Sequence, residues 1–65
     1  MNHNAPAPLA CPVPEACRRL SIGRTMLYQL IERGELRSIK LGAKTLIPES
    51  ELQRLIADRL AQVAA

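Results

Sequence analysis

The sequence predicts a small, mainly α-helical domain with one β-hairpin, its elements running helix, helix, strand, strand, helix. Three observations carry that expectation. Apolar residues recur at three-and-four spacing in three separate stretches, the mark of amphipathic helices. Between the second and third of these the apolar period shortens to two on either side of a glycine-bearing turn, as in a hairpin. Sixty-five residues, with five prolines, three glycines and 48% hydrophobic residues, are enough for one small core and leave no room for a large enclosed catalytic cleft.

Residues 1–9 are rich in Asn, Ala and Pro and show no periodicity, so they read as a disordered lead-in to a domain spanning residues 10–65. Val13, Ala16, Cys17 and Leu20 then follow the i, i+3, i+4, i+7 pattern, which places a first helix over 14–20. Pro14 is tolerated because its missing N–H falls among the donors a helix start leaves free, and Glu15 favours the positive end. Arg18 and Arg19 are expected exposed near the C-terminus, where they either reach a phosphate backbone or stay in water.

Ser21-Ile22-Gly23 has the connection length of two helices crossing steeply, with Ile22 tucked between them. The second helix is expected over 24–33. Leu27, Leu30, Ile31 and Gly34 share one face, and Gly34 fits a left-handed stop. Arg33 in the last turn complements the negative end. The other face carries Arg24, Thr25, Tyr28, Gln29 and Glu32, mostly hydrogen-bonding groups. Gly23 is a weaker N-cap than Ser or Thr, which leaves N–H groups for a phosphate oxygen.

Alternation of Ile39 and Leu41 with Ser38 and Lys40, then Gly42-Ala43-Lys44 and Thr45-Leu46-Ile47, predicts a two-stranded hairpin over 38–47 with Lys40 and Lys44 near its tip. Pro48-Glu49-Ser50-Glu51 starts a third helix over 49–63, with Leu52, Leu55, Ile56, Leu60 and Val63 on its apolar stripe. The first part of that stripe should close the core. The part from Leu60 onward is either a fraying end or a small contact surface.

Seven basic residues between Arg18 and Lys44 face only Glu32 and Glu35, a local charge of +5 in a chain of +3, which suggests one anion-facing surface. Cys11 and Cys17 are too few for a disulfide framework, and with His3 they do not make a zinc site; Cys17 reads as a small core hydrophobe. His3 has no base or nucleophile beside it, and there is no glycine-rich phosphate loop, so no enzymatic activity, cofactor or metal is expected. No apolar run approaches about 18 residues, and the start lacks the pattern of a signal peptide, so a cytoplasmic location is expected.

The order Pro12-Val13-Pro14-Glu15-Ala16-Cys17, Leu20-Ser21-Ile22-Gly23-Arg24, Tyr28 through Leu36, Leu41-Gly42 and Ile47-Pro48 resembles the excisionase-type helix-turn-helix family, related to the DNA-binding domain of MerR-type regulators. The resemblance covers residues 9–56. It implies a winged helix-turn-helix fold (α-α-β-β-α) whose second helix enters the major groove and whose hairpin is a wing along an adjacent backbone or minor groove. It further implies a recombination directionality factor or a small transcriptional regulator of a mobile element, bacterial or phage-encoded and nucleoid-associated. Implied partners are double-stranded DNA, an integrase or recombinase, and further copies of the chain side by side on DNA. By the same resemblance Arg24, Thr25, Tyr28 and Gln29 match the groove-facing helix and Lys44 a basic wing position. Ser21 stands where the family usually has glycine and Gly23 where it usually has serine. The wing reads Ala43-Lys44-Thr45-Leu46 rather than a paired basic and aromatic run, which implies weaker wing contacts.

In chemical terms, Arg24 can bond guanine O6 and N7 or grip a phosphate, Gln29 can read adenine, and Thr25 can touch a thymine methyl or a phosphate. Tyr28 either donates to a phosphate or covers the core edge. Arg37, Lys40 and Lys44 read as phosphate contacts, and Arg18, Arg19 and Arg33 complete the expected DNA-contacting set. The alternative is a protein-binding adaptor that uses the C-terminal helix.

Overall fold

The computed structural model describes residues 8–64. Most of the expected lead-in, residues 1–7, lies outside the described residues. Six elements follow one another: β1 (Ala10–Pro12), α1 (Val13–Leu20), α2 (Arg24–Glu32), β2 (Ile39–Leu41), β3 (Lys44–Pro48) and α3 (Glu49–Ala64). Mainly helical with a small antiparallel sheet, they form a winged helix-turn-helix.

The sheet has three strands, where the sequence reading has two. β3 lies in the centre, pairing with β2 through Ile39↔Leu46, Lys40↔Thr45 and Leu41↔Lys44, and with β1 through Ala10↔Pro48, Cys11↔Ile47 and Pro12↔Leu46. β1 is too short to show an alternation, and its proline argues against a strand when read alone. Pro12 is accommodated because β1 is an edge strand, where a missing N–H leaves no inner ladder broken. Just before it, the Leu9 carbonyl accepts the Glu49 N–H at 2.7 Å, so the chain entering β1 is tied to the start of α3.

Both helix ends that flank α2 stop in the same way. After α1, Ser21 takes φ 58°, and the N–H groups of Ser21 and Ile22 return to the carbonyls of Arg18 and Cys17. After α2, Gly34 takes φ 79°, and the N–H groups of Gly34 and Glu35 return to Ile31 and Leu30. Each is a Schellman arrangement that satisfies carbonyls the helix itself cannot. Glycine makes the second at no steric cost; Ser21 makes the first against its Cβ.

Leu27, Leu36 and Ile47 are wholly buried and join α2, the loop after it and the central strand. Val13, Ala16 and Cys17 from α1, Cys11 from β1, Leu30 from α2, and Leu52 and Leu55 from α3 close the same cluster, with Ile22 packed at its edge. Cys11 and Cys17 are free thiols within it. Beyond Leu55 every described side chain of α3 is exposed.

Ion pairs fasten α3 to the rest. Arg19, in the last turn of α1, holds Glu49 by two hydrogen bonds, one of 2.9 Å from Nη2 to Oε2. Arg54 bonds Glu51, Asp58 and the Glu35 carbonyl, each at 2.9 Å, while Glu51 accepts the Arg37 N–H at 2.9 Å and Arg59 pairs with Glu35. The loop 33–37 is thereby bound to α3.

Two outcomes follow for stability. Ser21→Gly should raise it by about 0.5–1 kcal/mol in denaturant unfolding, because the left-handed conformation no longer works against a side chain. The Arg19 guanidinium and the Gln53 amide hold Glu49 down at about 2; the Arg54 guanidinium and the Arg37 N–H do the same for Glu51, against the ordinary 4.5. The unfolded chain therefore binds protons that the folded chain refuses. Their contribution is full above pH 4.5 and drains as pH falls toward 2, so acid unfolding followed by circular dichroism should lie in that window, and Glu49→Gln should remove part of the dependence.

Candidate nucleic-acid interface

The short helix α2 divides cleanly. At about 100° per residue, Arg24, Tyr28, Glu32, Thr25 and Gln29 fall within one arc of about 140°, turned away from the buried Leu27 and Leu30. All five are exposed, Tyr28 at 48%, so its ring does not seal the core. A projecting face about 13 Å long results, with the width of one helix and hydrogen-bonding groups along its length.

Its N-terminus is open. Gly23 caps with extended backbone, φ −84° and ψ 172°, and offers no side-chain acceptor. The first N–H groups of α2 therefore point outward beside Arg24, an arrangement suited to a phosphate oxygen.

The charges of α2 run against its own dipole. α1 places Glu15 in its first turn and Arg18 and Arg19 in its last, and α3 places Glu49 and Glu51 in its first; each favours its helix. α2 has Arg24 at the positive end and Glu32 at the negative end, with no acid in the first turn and no base in the last. Arg33, expected to complement that last turn, instead lies just beyond it, 3.7 Å from Glu35. Charges placed this way do not serve the helix that carries them.

The wing is a tight hairpin in which Gly42, φ 62°, takes the first of two turn positions and Ala43 the second. The register separates the two lysines. Lys40 shares a face with Thr45 and, farther down, the buried Ile47; Lys44 shares the other with Leu41, Ile39 and Leu46. Both project from the tip, on opposite sides. Ile39 and Leu41, whose alternation marks the strand, look away from the core and are 42% and 61% exposed.

The expected basic residues are not equivalent. Among the described residues the cationic side chains of Arg24, Arg37, Lys40 and Lys44 form no salt bridge, and they lie on α2, its following loop and the wing. Arg18 pairs with Glu15 on an open surface, its side chain 72% exposed, a contact worth little and easily exchanged for another anion. Arg19 is matched to Glu49 at a junction between helices. Glu32 lies outside the expected set, although its place at the wrong end of a short helix was visible in the sequence.

Comparison with known proteins points the same way. A family model described as a helix-turn-helix domain matches residues 13–60. A probable excisionase of Saccharopolyspora erythraea is 36% identical over 53 residues, covering 82% of this chain and 54% of that protein. An excisionase of Streptomyces ambofaciens is 36% identical over 50 residues, covering 77% of this chain and 81% of that protein. The chain thus spans about half the length of the first relative and most of the second. No solved structure is a significant match. With the helix-turn-helix model covering most of its length and two excisionases at this level of identity, the chain belongs to the excisionase-type helix-turn-helix family.

Proposed function

We propose that this chain binds double-stranded DNA in a sequence-dependent manner, with α2 in the major groove and the β2–β3 wing along the flanking backbone or minor groove. The observation that carries this is the exposed polar arc of α2, open at its N-terminus and carrying Arg24, in a fold whose other cationic side chains without a salt bridge among the described residues, Arg37, Lys40 and Lys44, lie on the following loop and the wing. Gln29 and Thr25 face outward to read bases, Arg24 and Tyr28 to hold a base or phosphate, and the wing lysines to hold phosphates. Binding and bending of DNA, without catalysis, is the activity this assigns.

The relatives' names favour excision over promoter control: the chain acts as a recombination directionality factor that presents an attachment site to an integrase. One such domain touches few base pairs, so specificity comes from several copies on repeated sites. Ile56, Leu60 and Val63, 48%, 64% and 83% exposed along the free end of α3, supply an apolar surface for a neighbouring copy or the integrase. The chain works in the cytoplasm, on the nucleoid.

Genomic fragments selected by the purified protein at near-physiological salt test the proposal. Enrichment of repeats at an element's attachment site is the expected result; a promoter would favour regulation, and no enrichment by folded protein would favour the adaptor role. On a selected site, Gln29→Ala should relax base preference at one position by about 1–3 kcal/mol. Lys44→Ala should weaken every sequence alike and lower the slope of log affinity against log salt by about one. Equal loss on all sequences for both variants would remove Gln29 from base reading.

A further inference from the structure

Among the described residues, five of the six acidic side chains are matched to arginine: Glu15, Glu35, Glu49, Glu51 and Asp58. Glu32 is the exception. It is exposed, it sits where the negative end of α2 opposes a carboxylate, and by its angle it lies in the middle of the arc formed by Arg24, Tyr28, Thr25 and Gln29. Fold stability gives no reason for an acid at this place.

We propose that Glu32 is a specificity-determining residue, its carboxylate accepting a hydrogen bond from the N4 amino group of a cytosine in the major groove. The inference rests on the DNA-binding reading above. A carboxylate entering the groove is repelled by phosphates and by every base acceptor: guanine O6 and N7, thymine O4 and adenine N7. Only cytosine N4 and adenine N6 donate there. Adenine's donor is flanked on both sides by acceptors, its own N7 and the paired thymine O4, whereas cytosine's donor has the paired guanine O6 on one side and only the C5–H edge on the other, so a carboxylate can approach it from that side. Glu32 therefore discriminates twice, by accepting from cytosine and by opposing the other bases. It lies about 12 Å along α2 from Arg24, so the cytosine falls about three base pairs from the group that Arg24 holds.

The test is parallel selection from a randomised duplex library by the wild-type chain, Glu32→Ala and Glu32→Gln, followed by Kd measurement on the selected site and on its three alternatives at the cytosine position. Neither variant removes a side-chain hydrogen bond or ion pair found among the described residues, and both take a negative charge from the negative end of α2, so both should melt at or above the wild-type Tm. The wild type should favour cytosine about fivefold to a hundredfold at one position. Glu32→Ala should keep the rest of the motif, lose that preference to within about twofold, and bind the other bases more tightly. Glu32→Gln should shift the position toward adenine, since an amide can both donate to N7 and accept from N6. If both variants keep the wild-type motif and only bind all sequences more tightly, Glu32 merely repels phosphates and the proposal is overturned. A wild-type chain that selects no sequence would instead overturn the DNA-binding reading, and this inference with it.

Discussion

The constraint on which the rest depends is the single buried cluster in which Leu27, Leu36 and Ile47 are wholly removed from water. Each comes from a different part of the chain: the inner face of α2, the loop that leaves it, and the central strand of the sheet. With all three removed from water, the projecting helix and the wing are held in one relation to each other, although neither a nine-residue helix nor a small hairpin is stable alone. β1, α1 and the first turns of α3 complete the apolar enclosure around them. A domain of this size has little stability to spare, so the hydrogen-bonded ends at Ser21 and Gly34 matter as much as the side chains they orient.

Charge is divided by the same geometry. Acids on α1, α3 and the loop 33–37 are met by arginines, in pairs that tie α3 to α1 through Arg19 and Glu49 and to the loop through Arg54 and Glu51. These pairs leave the α2 arc and the wing with cations that the protein itself does not match. A helix whose charges oppose its own dipole, and whose N-terminus has no side-chain cap, is less stable than its length permits. Those features suit an external anion and base edges.

Much of this was readable from residue spacing. The three apolar stripes, the Gly34 stop and the alternation around Gly42 are local signals, and they correspond to α1, α2, the wing and α3. What the spacing did not carry is non-local. β1 is three residues ending in proline and becomes a strand only because β3 offers an inner edge. Leu36 belongs to no periodic run, yet it is wholly buried where the loop turns back over the core. Arg19 and Glu49 are thirty residues apart in sequence, so their pairing, which takes Arg19 out of the free basic surface, leaves no local signal. The local charge of the middle segment consequently overstated the charge free to meet an anion. Ser21 shows the reverse case: its departure from the glycine usual in this family has a plain physical meaning once φ is seen to be 58°.

On the proposed function, α2 and the wing, and not the free end of α3, face DNA. Amide chemical shifts of the isotopically labelled chain, titrated with a duplex that it selects, test this most directly. Shifts should concentrate at Arg24–Glu32 and Lys40–Lys44, with Ile56, Leu60 and Val63 little changed when one copy is bound. Shifts concentrated on the exposed stripe of α3, with α2 unaffected, would contradict it.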